Sequence, residues 1–357
     1  MADLQEIVDD LEADIRRPIS VEDRRWRLLA HSVQPDEADA VRRSSILTRV
    51  TKPDVVAWLD GLGLQRARDL VDVPRNDELG MIRRGCLPIR HGDVLLGFLW
   101  VIVGDNPLTA AEREALERGG HDVAENLWRR HRDADEREQR TRAQLQALLH
   151  GQESGLAATL RWPETGVYAI AVSDAAPDRL RLRRADYVAA DGAILVRDPI
   201  HLAKALTEAG ATGGVSAPFA RLRDAPEALR QATVAALCAD AGQGPVAAYD
   251  QLGSWALIAS LWDGAGRPQP PAPIVALTQH RRAAQLLVAL EGLLDHGGDV
   301  AAAANALSMH RATLYRRLER VEEITGLDLQ NGDDRLLAHL GLRLHRLNAT
   351  TVAPTSP

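Results

Sequence analysis

The clearest periodicity lies near the C-terminus. From Arg281 onward, apolar side chains recur at helical intervals in four blocks with clear punctuation between them. The first block carries Leu286, Leu287, Leu290, Leu293 and Leu294 on one stripe and stops at Gly297-Gly298. Asp299 is placed to cap a short second helix, Val300 to Leu307, whose alanines let a neighbouring helix come close. A three-residue turn, Ser308-Met309-His310, leads to a third helix over roughly Arg311 to Thr325, ended by Gly326. Asp333 or Asp334 is expected to start a fourth, with Leu336, Leu337, Leu340, Leu344 and Leu347 on one side.

Upstream, the pattern mixes strand and helix. Cys86 to Val103 reads as two strands around the turn His91-Gly92-Asp93, and the second strand is apolar along its length, as a fully buried strand is. Thr109, with Glu112 three residues on, forms a capping-box signature for a helix. Val167 to Val172 and Ala193 to Val196 read as strands, and Ile200 to Ala209 and Pro226 to Ala239 as helices, which points to an α/β or α+β sandwich. The Gly213-Gly214 pair reads as a turn before a strand.

Two stretches suggest boundaries. Arg129 to Arg142, RRHRDADEREQRTR, alternates charge signs almost without apolar residues and reads as a solvated connecting helix. A heptad register through Leu127, Ala134, Thr141, Leu145 and Leu148 exists, but its polar middle excludes a strong coiled coil. Gly264 to Pro273, GAGRPQPPAP, reads as a semi-rigid spacer, and the polar tail after Asn348 as disordered. The expected organisation is residues 1–128, a connecting helix 129–150, a middle domain 151–263, a linker 264–273, a helical domain 274–348 and a tail 349–357.

Composition narrows the class. At roughly 150 residues per domain, 357 residues suggest two or three domains. A chain that is 45% hydrophobic and 26% charged is neither wholly disordered nor a disulfide scaffold. No apolar run approaches the ~20 residues of a membrane span, and acids among the apolar N-terminal positions speak against a signal peptide. Cys86 and Cys238 make no metal spacing and read as small buried hydrophobes in a reducing cytoplasm. His280, His296, His310, His339 and His345 lack paired carboxylates at ligand spacing, so no metal is expected. Without a GxSxG, Walker or dinucleotide glycine fingerprint, no catalytic residue and no cofactor is expected either. Trp26, Trp58, Trp100 and Trp128 read as core in preference to a ligand pocket.

The net charge of −7 disfavours coating nucleic acid non-specifically, but leaves room for one local basic face. The third C-terminal helix supplies it. Projected at about 100° per residue, Leu314, Leu318, Val321 and Thr325 form the inward stripe, while Ala312, Arg316, Glu319 and Glu323 lie opposite. The outward residues of the first two turns, Arg311, Ala312, Thr313, Tyr315, Arg316 and Arg317, include three cations and no acid. A short helix, a tight turn and a longer helix make the helix-turn-helix unit, whose second helix enters the major groove of double-stranded DNA. Arg316, then Arg311, is the candidate for guanine, and Ser308, His310, Thr313, Arg317 and Arg320 are candidates for phosphates. The bland alternative is a helical protein-interaction module with an arginine-rich surface.

The same residues resemble a known family. GGDVAAAANALSMHRATLYRRLERVEEITGLDL, followed by DRLLAHLGLRLHRL, is similar to the C-terminal helix-turn-helix of PucR/CdaR-type bacterial transcription regulators. Gly297, Gly298, Ala304, Leu307, His310, Arg311, Thr313, Leu314, Arg317, Leu318, Thr325 and Gly326 match the family pattern as they stand. Asp299 replaces a usual Asn, Ala303 a Thr, Met309 a Val, and Ala312 an Asn. The middle stretches GGVSAPFARLRDAPEALRQATVAA and VAAYDQLGSWALIA resemble the family's degenerate cyclase-like (GGDEF-like) domain, without the acidic loop of active cyclases. RRGCLPIRHGDVLLGFLWV and LTAAEREALERGGHDVAENL resemble a GAF-type sensor.

The fold so implied is a multidomain α+β chain: a GAF-like sensor, a ferredoxin/cyclase-like α/β sandwich and an all-α helix-turn-helix. The implied function is a cytoplasmic, ligand-responsive regulator of a catabolic or developmental operon, acting on a DNA operator as a homodimer or larger oligomer under an unidentified small-molecule effector. The alternative is a signalling or scaffold protein that does not bind DNA.

Overall fold

The computed structural model describes residues 3–32, 39–260 and 268–349. The chain divides into two compact units, Met1–Glu138 and Gln139–Pro357.

The first unit is built on the predicted hairpin. It runs α1 (Leu4–Ile15), β1 (Ile19–Asp23), β2 (Leu28–His31), α2 (Ala40–Thr48), α3 (Pro53–Gly61), β3 (Val71–Val73), β4 (Arg84–His91), β5 (Val94–Ile102) and the start of α4 (Ala110–Leu149). The sheet is antiparallel in the order β2-β1-β5-β4-β3, so the apolar β5 lies at its centre and is covered on both faces. Leu99 and Val101 face a core shared with α1 and α4, whereas Phe98 and Trp100 face a core with Trp26, Leu59 and Met81. Trp26 stacks on Phe98 with ring centroids 4.3 Å apart, so Trp26 and Trp100 are core residues. Trp58 packs at the edge of that core, and Trp128 stacks on His91.

Thr109 and Glu112 form the expected capping box, with Thr109 N–H donating to Glu112 Oε2 at 2.7 Å and Glu112 N–H to Thr109 Oγ1 at 3.2 Å. The helix that follows does not end before the polar run at Arg129. It continues unbroken for 40 residues, because the run contains no glycine or proline and its residues are good helix formers.

In the second unit, α5 (Leu156–Leu160), β6 (Thr165–Ser173), β7 (Tyr187–Ala190), β8 (Ala193–Arg197), α6 (Leu202–Glu208), β9 (Gly213–Val215), β10 (Phe219–Arg221), α7 (Ala225–Asp240), β11 (Val246–Ala248) and α8 (Ser254–Ser260) form a mixed sheet with helices. The order is β11-β9-β6-β8-β7, with β10 also paired to β6; only β9 and β11 run parallel. Gly213 and Gly214 are strand residues and not the expected turn. A Cβ on Gly214 would lie 2.1 Å from Ala236 N and 2.2 Å from Ala232 O, so β9 meets α7 backbone to backbone.

The C-terminal helices are α9 (Ala272–Thr278), α10 (Ala283–Asp295), α11 (Val300–Ala306), α12 (Arg311–Thr325) and α13 (Gly332–Asn348). Their core joins Ile274, Leu277, Leu286, Leu290, Leu293, Leu314, Leu318, Val321 and Leu342. Three expectations change here. Asn331 caps α13, accepting from Asp333 N–H at 2.8 Å and Asp334 N–H at 3.2 Å, so neither aspartate starts the helix. The five α13 leucines do not share one environment: Leu336 and Leu337 are exposed, while Leu340, Leu344 and Leu347 pack against the core of Trp255 and Ile258. The reason is that α13 has a second buried face, Ala338, Gly341 and Leu342, turned to the core of the other C-terminal helices.

The described end of the proline-rich segment is not a free spacer. Asn348 Nδ2 donates to Pro268 O at 3.0 Å, Pro271 lies against Gly341, and α9 begins at Ala272. Residues 264–267 and the expected disordered tail, apart from Ala349, lie outside the described residues.

Candidate nucleic-acid interface

The interface is assembled from the end of α10 to the end of α12. Gly297 and Gly298 take left-handed φ values of 63° and 89°, and Gly298 N–H donates back to Leu293 O at 2.9 Å, which ends α10. Asp299 then accepts from Ala301 N–H at 2.7 Å and Ala302 N–H at 3.1 Å. These backbone bonds hold its carboxyl below the usual carboxylate range. Ala303 and Ala304 are buried, and a Cβ on Gly292 would meet Leu307 Cδ1 at 2.6 Å, so α10 and α11 approach closely.

The turn carries backbone strain that the sequence did not announce. Ser308 adopts φ 49°, a left-handed conformation without a glycine, while Met309 N–H closes the turn onto Ala304 O at 2.8 Å. His310 caps α12, its Nδ1 accepting from Ala312 N–H at 3.3 Å. That bond assigns the proton of a neutral ring to Nε2 and leaves an exposed donor at the start of α12.

On α12, Leu314, Leu318 and Val321 are buried, and Thr325, half-buried, returns its hydroxyl to Val321 O at 2.8 Å. Arg311, Ala312, Tyr315, Arg316 and Arg320 are exposed along with Ser308 and His310, whereas Thr313 and Arg317 are half-buried. The nine predicted site residues therefore share one surface, but the cations are not equivalent. Arg320 is ion-paired to Glu323 at 2.5 Å, and Arg311 lies in the field of Asp299. Arg316 and Arg317 have no ion-pair partner among the described residues. Arg316 is thus the cation both fully outward and uncommitted.

Sequence inspection missed Arg335. Its Nη1 occupies the space that a Cβ on Gly298 would take, at 2.2 Å, and so adds a half-buried cation behind the α10–α11 turn. No sequence signal could have placed it there, since 37 residues separate the two positions. Among the described residues, no three His, Cys, Asp or Glu side chains form a group that could hold a metal ion. Among the described residues, no helix is long and apolar enough to cross a membrane.

Residues 286–344 match the PucR C-terminal helix-turn-helix domain. The DNA-binding transcriptional activator AdeR of Bacillus subtilis (strain 168) is 26% identical over 152 residues, 42% of this chain and 36% of that protein. The carbohydrate diacid regulator of Escherichia coli (strain K12) is 51% identical over 49 residues, 14% of this chain and 13% of that protein. The chain thus matches 36% of the first relative's length and 13% of the second's. The crystal structure of the regulator of polyketide synthase expression from Bifidobacterium adolescentis aligns over 59% of this chain and 93% of that one, at 18% identity and a TM-score of 0.29, too low a likeness to assign a fold.

Proposed function

We propose that this chain, whose residues 286–344 form a PucR C-terminal helix-turn-helix domain, is a DNA-binding transcription regulator that places α12 in the major groove. The observation that carries the reading is the first two turns of α12. They expose Arg311 and Arg316 with no acid among them, on a helix whose opposite stripe is locked into a core. In this reading Arg316 pairs bidentately with guanine O6 and N7, a contact worth about 1–3 kcal/mol of discrimination. Arg311 is second in line. Ser308, His310, Thr313, Arg317 and Arg320 hold phosphates and set register, Arg320 after exchanging Glu323 for DNA.

The first unit serves as a GAF-like sensor for a small-molecule effector, and the sheet of the second as a degenerate cyclase-like domain that passes its state to the C-terminal helices. Control of a catabolic or developmental operon from the cytoplasm fits such a receptor. Two copies reading half-sites about 10 bp, or a multiple of that, apart make a homodimer the minimal assembly.

The test is fluorescence anisotropy with duplexes from the region upstream of its own gene, comparing wild type with Arg316→Ala/Arg317→Ala. Wild-type affinity is expected to fall with salt on a log–log plot, with a slope of about −0.9 per neutralised phosphate, and the double variant to lose at least tenfold. Equal, salt-insensitive binding by both would leave the C-terminal helices as a protein-interaction module.

A further inference from the structure

The outward face of α12 offers one apolar group at its centre. Ala312 and Arg316 lie on the same stripe one turn apart, both exposed, with Tyr315 to one side. The backbone N–H of Ala312 is already bonded to His310 Nδ1, so the residue has no free donor for a phosphate or a base. At this point the helix presents a methyl group alone.

We propose that Ala312 is a specificity-determining residue that selects thymine through its 5-methyl group, close to the guanine taken by Arg316. The inference rests on the DNA-binding reading above and goes beyond it by naming the base. The thymine methyl is the one apolar group on the major-groove edge, and burying two methyl groups against each other removes both from water. A purine would set N7 and an amino or carbonyl group against the Ala312 methyl and lose its water without a replacement bond, and cytosine would offer only its C5 hydrogen beside an amino group. Four residues of helix advance about 6 Å, close to two base-pair steps of about 3.4 Å. The recognised thymine therefore lies within about two steps of the guanine. The absence of a longer side chain at 312 also lets the backbone of α12 approach the groove floor, which brings the Arg316 guanidinium within reach of a base edge.

The experiment uses the full chain. Duplexes are first selected from a randomised pool; each thymine of the selected site is then replaced by deoxyuridine, which removes only the methyl group, and affinity is read at fixed salt. Wild type is expected to lose about fourfold at one thymine, as for one buried methyl group. Ala312→Gly should bind the thymine and uracil duplexes equally, and Ala312→Asn should select adenine at that position. Arg316→Ala should lose the guanine preference yet keep the response to deoxyuridine, which holds even if Ala312→Gly weakens the helix start. The proposal is overturned if no deoxyuridine substitution weakens the wild type, or if Ala312→Gly keeps the response, while sequence selection and salt dependence persist. If the wild type selects no duplex and shows no salt-dependent binding, the DNA-binding reading falls and this inference with it.

Discussion

Two carboxylates in the first unit titrate in opposite directions, for reasons visible around each. Glu22 on β1 is buried, and burial pushes its carboxyl from an ordinary 4.5 up to about 7, against the pull of a Thr51 hydroxyl at 3.2 Å and of Arg84 and Arg42. Arg84 is itself committed to Asp39 at 2.5 Å, and Arg42 donates to Ser20 Oγ at 2.7 Å. The folded state therefore keeps a proton that the unfolded chain releases above 4.5, and the stability Glu22 contributes is lost as pH rises through about 7. Glu22→Gln should raise the melting temperature at pH 8 and give no gain at pH 5; a shift of the same size at both would contradict this account. Glu112 behaves conversely. Arg17 at 2.6 Å, with the Thr109 backbone, draws its carboxyl down to about 2. Its contribution is present above 4.5 and lost as pH falls toward 2. Thermal melts of Glu112→Gln should show a loss at pH 7 that narrows steadily below pH 4.

At the scale of elements, the contact that decides the middle sheet is between β9 and α7. A methyl group at Gly214 would strike Ala236 N and Ala232 O, backbone atoms that cannot rotate away. Gly214→Ala should destabilise by about 3 kcal/mol, seen as reduced soluble yield and a lower urea midpoint. Gly61→Ala, near the end of α3 with nothing within 4 Å of the added Cβ, is the matched control and should change little. The short helix–turn–helix shows the same dependence on close approach, since α11 is small-sided where it meets the core and Ser308 accepts a left-handed turn to aim α12 outward. Helix ends that rest on local chemistry, such as Asp299 at the start of α11 and Gly326 after α12, were readable from the residues, whereas the His310 cap of α12 was not. The start of α13 was not, because Asn331 and Asp333 are both competent caps and the preceding loop decides between them.

For the whole molecule, α13 belongs to two cores. One face closes the core of the C-terminal helices, and the other places Leu340, Leu344 and Leu347 against the core of Trp255 and Ile258, where Arg343 also lies over the Trp255 ring at 5.0 Å. A fragment of residues 268–349 alone would expose those leucines. It should melt well below residues 139–349 and self-associate, as followed by calorimetry and light scattering; equal melting temperatures would show that the second face contributes nothing. α13 thereby joins the core of Trp255 and Ile258 to the core that holds Leu314 and Leu318 of α12.

The sequence by itself determined what depends on neighbours a few residues away: the apolar stripe of α12, its stop at Gly326, the β4–β5 hairpin, the Thr109 capping box, and the cluster of cations that makes the candidate interface. Helical and strand periods are local geometry, and so are caps. Only the tertiary structure decided which of those cations are free, because Glu323 and Asp299 act on Arg320 and Arg311 through space. It also decided that Gly213-Gly214 is a strand pressed on a helix and that the α13 leucines divide between solvent and a second core. Each of these depends on groups brought together from distant parts of the chain, and no periodicity within a single segment encodes such a meeting.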